Sequence, residues 1–291
     1  MHIYVPYKLF WGDIMLKNIG IYVNTDKDEN MLCAASMEKL LGSNGFTVST
    51  FCIAGLECDR QKLESFIKGS DAVFTLGGDG TLLMISKLCA CFSVPVLGIN
   101  LGRVGFLSEV EQSEMEKAIT SLSKGEYGVK NRMMLECVIN GQTFYALNEI
   151  VLHRDIREHM VHINVSARED EVGNFYADGV LVASPTGSTA YNLSAGGPIV
   201  TPDDEVMLMT PISAHTLRAR PYVFSAEQEL NITASSGRNV TVAIDGAEIF
   251  TGDGAGFTVR RSVFNASFIT FNNKNFYQRL NTKLDQWSTG Q

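Results

Sequence analysis

Ala72-Val73-Phe74-Thr75-Leu76-Gly77-Gly78-Asp79-Gly80-Thr81-Leu82-Leu83-Met84-Ile85 is the stretch on which the fold turns. Its first five residues form an apolar run too short for a helix and rich in strand formers, and its last four read as a helix start. Gly77 to Thr81 therefore sit at a strand-to-helix turn. Gly77, Gly78 and Gly80 predict a backbone free to take positive φ and open to a ligand, and Thr81 is placed to cap the helix. Amides at the positive end of a helix cradle phosphate, which makes Gly77, Gly78, Gly80 and Thr81 the candidate cradle. Asp79 sets the turn apart. A carboxylate among such amides repels phosphate unless a divalent cation lies between them or its task is to take a proton. A hydroxyl attacking a nucleotide phosphate needs such a base. The dinucleotide fingerprint fails because Leu83 stands where its third glycine belongs, and the P-loop fails for want of a lysine. The plain alternative is a glycine-rich turn with a solvated aspartate.

Outward from this turn, strands and helices alternate. Asn18 to Asn24 predicts a strand; Cys33, Met37, Leu40 and Leu41 make a helical stripe ending at Gly42 and Gly45; Phe46 to Cys52 predicts a second strand. Val94 to Ile99 predicts another strand, and Ser113 to Lys124 a helix with a capping box (Ser113, Glu116) and the stripe Met115, Ala118, Ile119, Leu122. This order predicts an α/β domain with an open, mostly parallel, Rossmann-like sheet and helices on both faces. Ligands of such sheets lie outside the carboxyl ends of the strands, where Asp79 falls.

Near Gly125 the rhythm changes. Residues 129–140 and 143–153 predict strands joined by the hairpin signal Asn140-Gly141, and strand-like runs recur at 160–167, 175–184, 220–224, 229–234, 240–245, 257–262 and 267–271. Asn275 to Trp287 reverts to helix, with Phe276, Leu280, Leu284 and Trp287 on one face, and is expected to return to the first domain. The expected division is 15–126 plus 273–291 as the α/β domain and 127–272 as a β-rich domain. Residues 1–14 show neither periodicity and read as an extension or loose arm.

The 291 residues are enough for two domains, each with its own core. With 45% hydrophobic and 19% charged residues the composition is that of a soluble globular protein, and no apolar run reaches the length of about 18 that a membrane span needs. A net charge of −8 argues against a nucleic-acid partner but leaves room for nucleotides held by local amides. Six cysteines, at 33, 52, 58, 89, 91 and 137, form no CxxC pair and mostly lie in apolar stretches, which predicts reduced, buried thiols and a cytoplasmic location.

Three further clusters carry chemistry. Asn148-Glu149 interrupts an apolar strand, where a carboxylate is costly unless paired; it faces either a cleft that supplies ribose or adenine partners or plain water at an edge. The run from Asp178 to Tyr191 reads as a turn, a buried strand and a small-residue loop entering a helix, with Ser188 and Thr189 offering hydroxyls and Tyr191 a ring. It is not a nucleophile elbow, because Ala190 replaces the second glycine. Asp245-Gly246 ends a strand and reads first as a turn. His159 and His162 lie three apart, on opposite faces if extended, and suggest no metal site.

With these residues in view, the chain resembles the bacterial NAD kinase family. The resemblance is carried by Leu76-Gly77-Gly78-Asp79-Gly80-Thr81, Asn100-Leu101-Gly102-Arg103-Val104-Gly105-Phe106-Leu107, Leu147-Asn148-Glu149 and the run from Asp178 to Pro198. It implies transfer of the γ-phosphoryl group of ATP to the 2′-hydroxyl of the adenosine ribose of NAD, giving NADP, with magnesium or a similar divalent cation. It implies Asp79 as general base, and dinucleotide binding by Asp79, Gly80, Asn148, Glu149, Thr189, Ala190, Tyr191, Asn192, Leu193 and Ser194, with His159 and Asp178 on binding positions too. Phe106, Ser188 and Asp245 are candidates for a further part of the pocket. No protein ligand for the metal is assigned, Asp79 being the one candidate. Where many relatives carry an arginine two residues before the Asp178 position, this chain has Tyr176. The family is usually tetrameric, so a homo-oligomer built on the β-rich domain is expected, with no nucleic-acid or membrane partner. The alternatives are a lipid kinase sharing the glycine-rich pentapeptide and a sensor that binds a dinucleotide without turning it over.

Overall fold

The computed structural model describes residues 16–54, 59–102, 105–155, 157–216, 218–271 and 276–288; the arm at 1–14, Cys58, Arg103 and Val104 lie outside them. Two compact units emerge, one of Met1–Lys130 with Ser267–Gln291 and one of Asn131–Ala266.

The first unit runs β1 (Asn18–Asn24), α1 (Leu32–Ser43), β2 (Thr47–Ile53), α2 (Arg60–Lys68), β3 (Ala72–Gly77), α3 (Asp79–Cys91), β4 (Val96–Asn100), β5 (Val110–Glu111) and α4 (Met115–Ser123). Its strands are parallel in the order β2-β1-β3-β4. Alternation along β1 explains why both faces are covered. Ile19, Ile21 and Val23 pack with Met37 and Leu41 of α1 and Ile119 and Leu122 of α4. Tyr22 points the other way, its hydroxyl donating to Met84 Sδ of α3 at 3.6 Å, and a side chain at Gly20 would run into Phe66 of α2. The parallel, doubly wound expectation holds. Because the chain steps outward from β1 to β2 and returns to β3, the strand order reverses between β1 and β3, and the turn after β3 lies at that switch point.

Local expectations fared less well. α3 starts at Asp79 with Gly78 as its cap, φ −112 and ψ −172, and none of Gly77, Gly78 and Gly80 has positive φ. Thr81 is not a cap; it is buried in the first turn, its hydroxyl lying where a Gly77 side chain would go. The capping box also fails, because a 3-10 turn over Gln112–Glu114 takes up Ser113 and moves the start of α4 to Met115. α2 escaped notice: it has nine residues, of which only Leu63 and Ile67 are buried, and its signal is the Asp59 cap accepting from the amides of Gln61 and Lys62. Among the five described cysteines, all free, Cys52 on the edge strand β2 is exposed, contrary to the expectation of buried thiols.

The second unit comprises β6 (Gly128–Ile139), which starts in the first, β7 (Gln142–Ala146), β8 (Glu149–Arg154), β9 (Val161–Ala167), β10 (Asp170–Ala177), β11 (Gly179–Ala183), the single-turn α5 (Tyr191–Ser194), β12 (Val206–Ile212), β13 (Tyr222–Ser225), β14 (Glu229–Ile244) and β15 (Ala247–Thr270), whose last residues belong to the first unit. Antiparallel pairing orders β13-β12-β11-β8-β14-β15, with the β9/β10 hairpin joined to β14. Alternate residues such as Ile150, Leu152, Val180, Val182, Met207 and Met209 face one core, while Val151, Leu181, Ala183 and Leu208 face another lined by Ala195 and Val200. α6 (Phe276–Ser288) belongs to the first unit, with Leu280 buried and Leu284 left exposed. β12 was missed, its apolar run being methionine-rich and interrupted by Pro211. The runs 143–153 and 175–184 each break once, at Leu147-Asn148 and at Asp178, and both breaks fall at the candidate site.

Candidate active site

In the first unit the site is built around Asp79. Oδ2 accepts the amide of Phe106 at 2.6 Å, and Oδ1 accepts the amides of Leu107 and Ser108 at 3.3 and 3.1 Å and the Ser108 hydroxyl at 3.0 Å. A carboxylate offers about four lone-pair positions, two on each oxygen, so among the described residues Oδ1 is fully used and Oδ2 keeps one position open. Gly105 makes the approach possible, since a side chain there would collide with the Asp79 carboxyl group. At Gly78 and Gly80, by contrast, a side chain would meet open space. Their value at this turn is room, not backbone freedom. Phe106 thus enters through its backbone, and Ser108, which sequence reasoning passed over, is among the described residues the one buried side chain on the carboxylate.

In the second unit the break at Leu147-Asn148 is held from two sides. The Asp245 carboxylate accepts the amides of Leu147, Asn148 and Glu149 at 2.9, 2.8 and 3.1 Å. Asp245 takes φ +48, a conformation aspartate tolerates better than most residues, so the turn read from Asp245-Gly246 is also the clamp on Asn148-Glu149. From the other side the Ser184 hydroxyl donates to the Leu147 carbonyl at 2.5 Å and accepts the Gly187 amide at 3.2 Å. Gly187 packs flat on Asn148, where a side chain would strike the backbone. Asn148 is half-buried and Glu149 buried.

The run that follows folds as a 3-10 turn, Thr186–Thr189, and then α5. Asn192 is its hub and is fully buried: Nδ2 donates to the carbonyls of Ser188 and Pro198 at 3.3 and 2.9 Å, and Oδ1 accepts the Thr210 hydroxyl at 2.7 Å. Ser188 is buried too, its hydroxyl on the Val200 carbonyl at 3.1 Å. These two side chains face inward and shape the loop. Tyr191 and Ser194 are exposed, Ala190 and Leu193 half-buried and Thr189 buried. Thr186, not singled out from sequence, has a buried hydroxyl without a hydrogen-bond partner among the described residues.

At the far end of β8, Asp178 pairs with Arg154, Nε to Oδ1 at 2.6 Å. His159 is exposed on the segment before β9, and Tyr176 is exposed with its ring against His162 at 4.9 Å. No group of three or more His, Cys, Asp or Glu among the described residues is placed to hold a metal ion. Among the described residues, then, no set of protein groups by itself fits a divalent cation.

A doubly wound sheet with a glycine-rich turn at its switch point, in one chain with an antiparallel β unit, defines a nucleotide-handling phosphotransferase without a P-loop. Residues 57–127 match the family model for the ATP-NAD kinase N-terminal domain and residues 147–271 that for the ATP-NAD kinase C-terminal domain. The chain belongs to the NAD kinase family, and NAD kinase activity is its function. It is 36% identical over 284 residues to an NAD kinase of Clostridium botulinum (strain Loch Maree / Type A3), covering 92% of this chain and 96% of that one. An NAD kinase of Caldanaerobacter subterraneus subsp. tengcongensis is 36% identical over 285 residues, 93% and 100% of the two chains. Among solved structures, a yeast NADH kinase complexed with NADH superposes with a TM-score of 0.77 at 25% identity over 92% of this chain and 86% of that one. An NAD kinase from Archaeoglobus fulgidus in complex with ATP does so with a TM-score of 0.76 at 27% identity, over 92% and 98%.

Proposed function

We propose that the chain transfers the γ-phosphoryl group of ATP to the 2′-hydroxyl of the adenosine ribose of NAD, with Asp79 as the base. The observation that carries this reading is the carboxylate of Asp79 fixed in the first turn of α3 at the switch point of the sheet. The 2′-oxygen attacks the γ-phosphorus, the bond to the bridging oxygen of ADP breaks, and the hydroxyl proton passes to Asp79. With three donors on Oδ1 and one on Oδ2, the lone pair left on Oδ2 accepts the proton without displacing a donor. Oδ2 is therefore the oxygen that takes the proton, while Oδ1 ties the carboxylate to Leu107 and Ser108.

Asn148, Glu149, His159, Asp178 and the run from Thr189 to Ser194 are assigned to the dinucleotide, with Tyr191 offering its exposed ring to a base. Thr186 joins them through its unpartnered hydroxyl. Ser188, Asn192 and Asp245 act by holding the backbone. The divalent cation, magnesium, is assigned to the triphosphate, with which it arrives as part of the substrate. Residues 127–272 are read as the dinucleotide-binding and oligomerisation domain, the assembly as a homo-oligomer, a tetramer by family likeness, and the location as cytoplasmic; among the described residues no helix is long and apolar enough to cross a membrane. The test is a product assay crossing NAD and NADH with ATP and polyphosphate in magnesium. NADP formed from NAD and ATP supports the reading, and binding of NAD without product returns the chain to the sensor alternative.

A further inference from the structure

We propose that Arg154 is a positioning residue for the dinucleotide, fixing Asp178 through one carboxylate oxygen so that the other is presented to a hydroxyl or amide hydrogen of the ligand. This rests on the dinucleotide-binding role given to Asp178 above.

The arrangement is fixed first by backbone. Arg154 ends β8, and its amide donates to the Asp178 carbonyl at 2.9 Å. The next pair along, His153 and Gly179, lies where the strands come too close for a side chain, because one at Gly179 would strike the Leu152 carbonyl. The two backbones therefore hold Arg154 and Asp178 side by side whatever their side chains do. Among the described residues the guanidinium then reaches three acceptors: Nε to Asp178 Oδ1 at 2.6 Å, and Nη1 to the carbonyls of Asp155 and Glu158 at 3.1 and 2.8 Å. Those carbonyls belong to a segment anchored elsewhere as well. The Asp155 amide donates to the Asn239 carbonyl at 2.9 Å, and Arg238 pairs with Glu158 at 3.6 Å. A planar fork meets all three acceptors at once, which an ammonium on a flexible stem does not.

Asp178 is left with an asymmetric task. Oδ1 is taken, whereas Oδ2 accepts none of the hydrogen bonds found among the described residues, and the side chain keeps 35% of its exposure. A pair made only for stability would favour the two-pronged form; this one is single-pronged and reserves an acceptor. The charge balance points the same way. A lone carboxylate would repel the diphosphate of a dinucleotide, and the adjoining guanidinium cancels that repulsion while leaving the acceptor available.

The test uses the full chain with ATP and magnesium. Arg154→Ala raises KM for NAD by about 10- to 100-fold, with kcat within about threefold, since the contact exists equally in ground and transition states. Arg154→Lys, which keeps the charge without the fork, recovers part of the loss. Combined with Asp178→Asn, Arg154→Ala costs clearly less than the product of the single effects. Should Arg154→Ala prove unfolded at the assay temperature, Arg154→Lys and Arg154→Gln carry the same comparison. An unmoved KM beside a lowered Tm, or full additivity with Asp178→Asn, overturns the proposal. A wild-type chain that forms no NADP overturns the assigned activity instead, so the two failures are told apart by the wild-type control.

Discussion

Asp79 is held by the same groups that would weaken it as a base, and its replacement separates the two roles. In Asp79→Asn the proton acceptor is lost while size is kept, so kcat should fall by roughly 10² to 10⁴ with KM for NAD changed only a few-fold. A variant whose Tm falls while kcat stays near normal would reduce Asp79 to a structural tie for the turn at 106–108. Asp245 makes the converse case. Asparagine tolerates its positive φ and keeps one acceptor oxygen for the Asn148 and Glu149 amides, so Asp245→Asn removes the charge and the acceptor of the Leu147 amide, which should cost about 2 kcal/mol, seen as a Tm lowered by several degrees. Unchanged Tm would mean the clamp contributes nothing. Neither network was legible in the sequence, where Asp79 and Asp245 stand out only by neighbouring glycines. Their partners lie 27 to 29 and 96 to 98 residues away, and local patterning carries no such information.

Among elements, those with long apolar periodicity were read well and those defined by a break were not. β1, β3 and α1 announce themselves because their buried residues recur at one spacing. The strands over 143–153 and 175–184 looked continuous because both flanks of each break are apolar, so the pattern persists where the ladder stops. What stops it is a competing acceptor, Asp245, in the first case, and in the second a change of partners, from β9 before Asp178 to β8 and β12 after it. The junction of the 184–187 turn with Asn148 gives a sharp prediction. Gly187→Ala would push the turn off the Asn148 backbone, since the neighbour there is main chain and cannot swing aside. KM for NAD should rise about tenfold or more, beside a stability loss of about 1 to 3 kcal/mol. A variant with native KM would show that the loop does not depend on this contact.

For the whole molecule, buried thiols set an alkaline limit. Burial, and then the Asp28 carboxylate, push the Cys33 thiol up to about 11, and burial pushes Cys137 up to about 12 and Cys89 further in the same direction. These thiols ionise near the ordinary value of 9.0 when unfolded, so the folded chain binds more protons above it. Their contribution is complete below pH 9 and is lost as pH climbs through about 11 to 12. Tm measured from pH 8 upward should be level and then fall past pH 9, less steeply in Cys137→Ala; a level curve to pH 10.5 would contradict this. The oligomer proposed from the β-rich unit is checked by light scattering at assay concentration, where a fully active monomer would refute it. That unit leaves Tyr176, Tyr222 and Val223 exposed, apolar area a self-association could cover.

The chain leaves the first unit along β6 and comes back along β15, and the two crossings are neighbours: a side chain on Gly128 would lie 3.4 Å from the Thr270 hydroxyl. An excursion of this kind is a cassette, because its departure and return points are already together and a short tether can replace everything between them. A chain in which a few glycines stand for residues 131–266 should retain the parallel sheet as an autonomous scaffold, and foreign β modules spliced at the same seam should be accommodated by it.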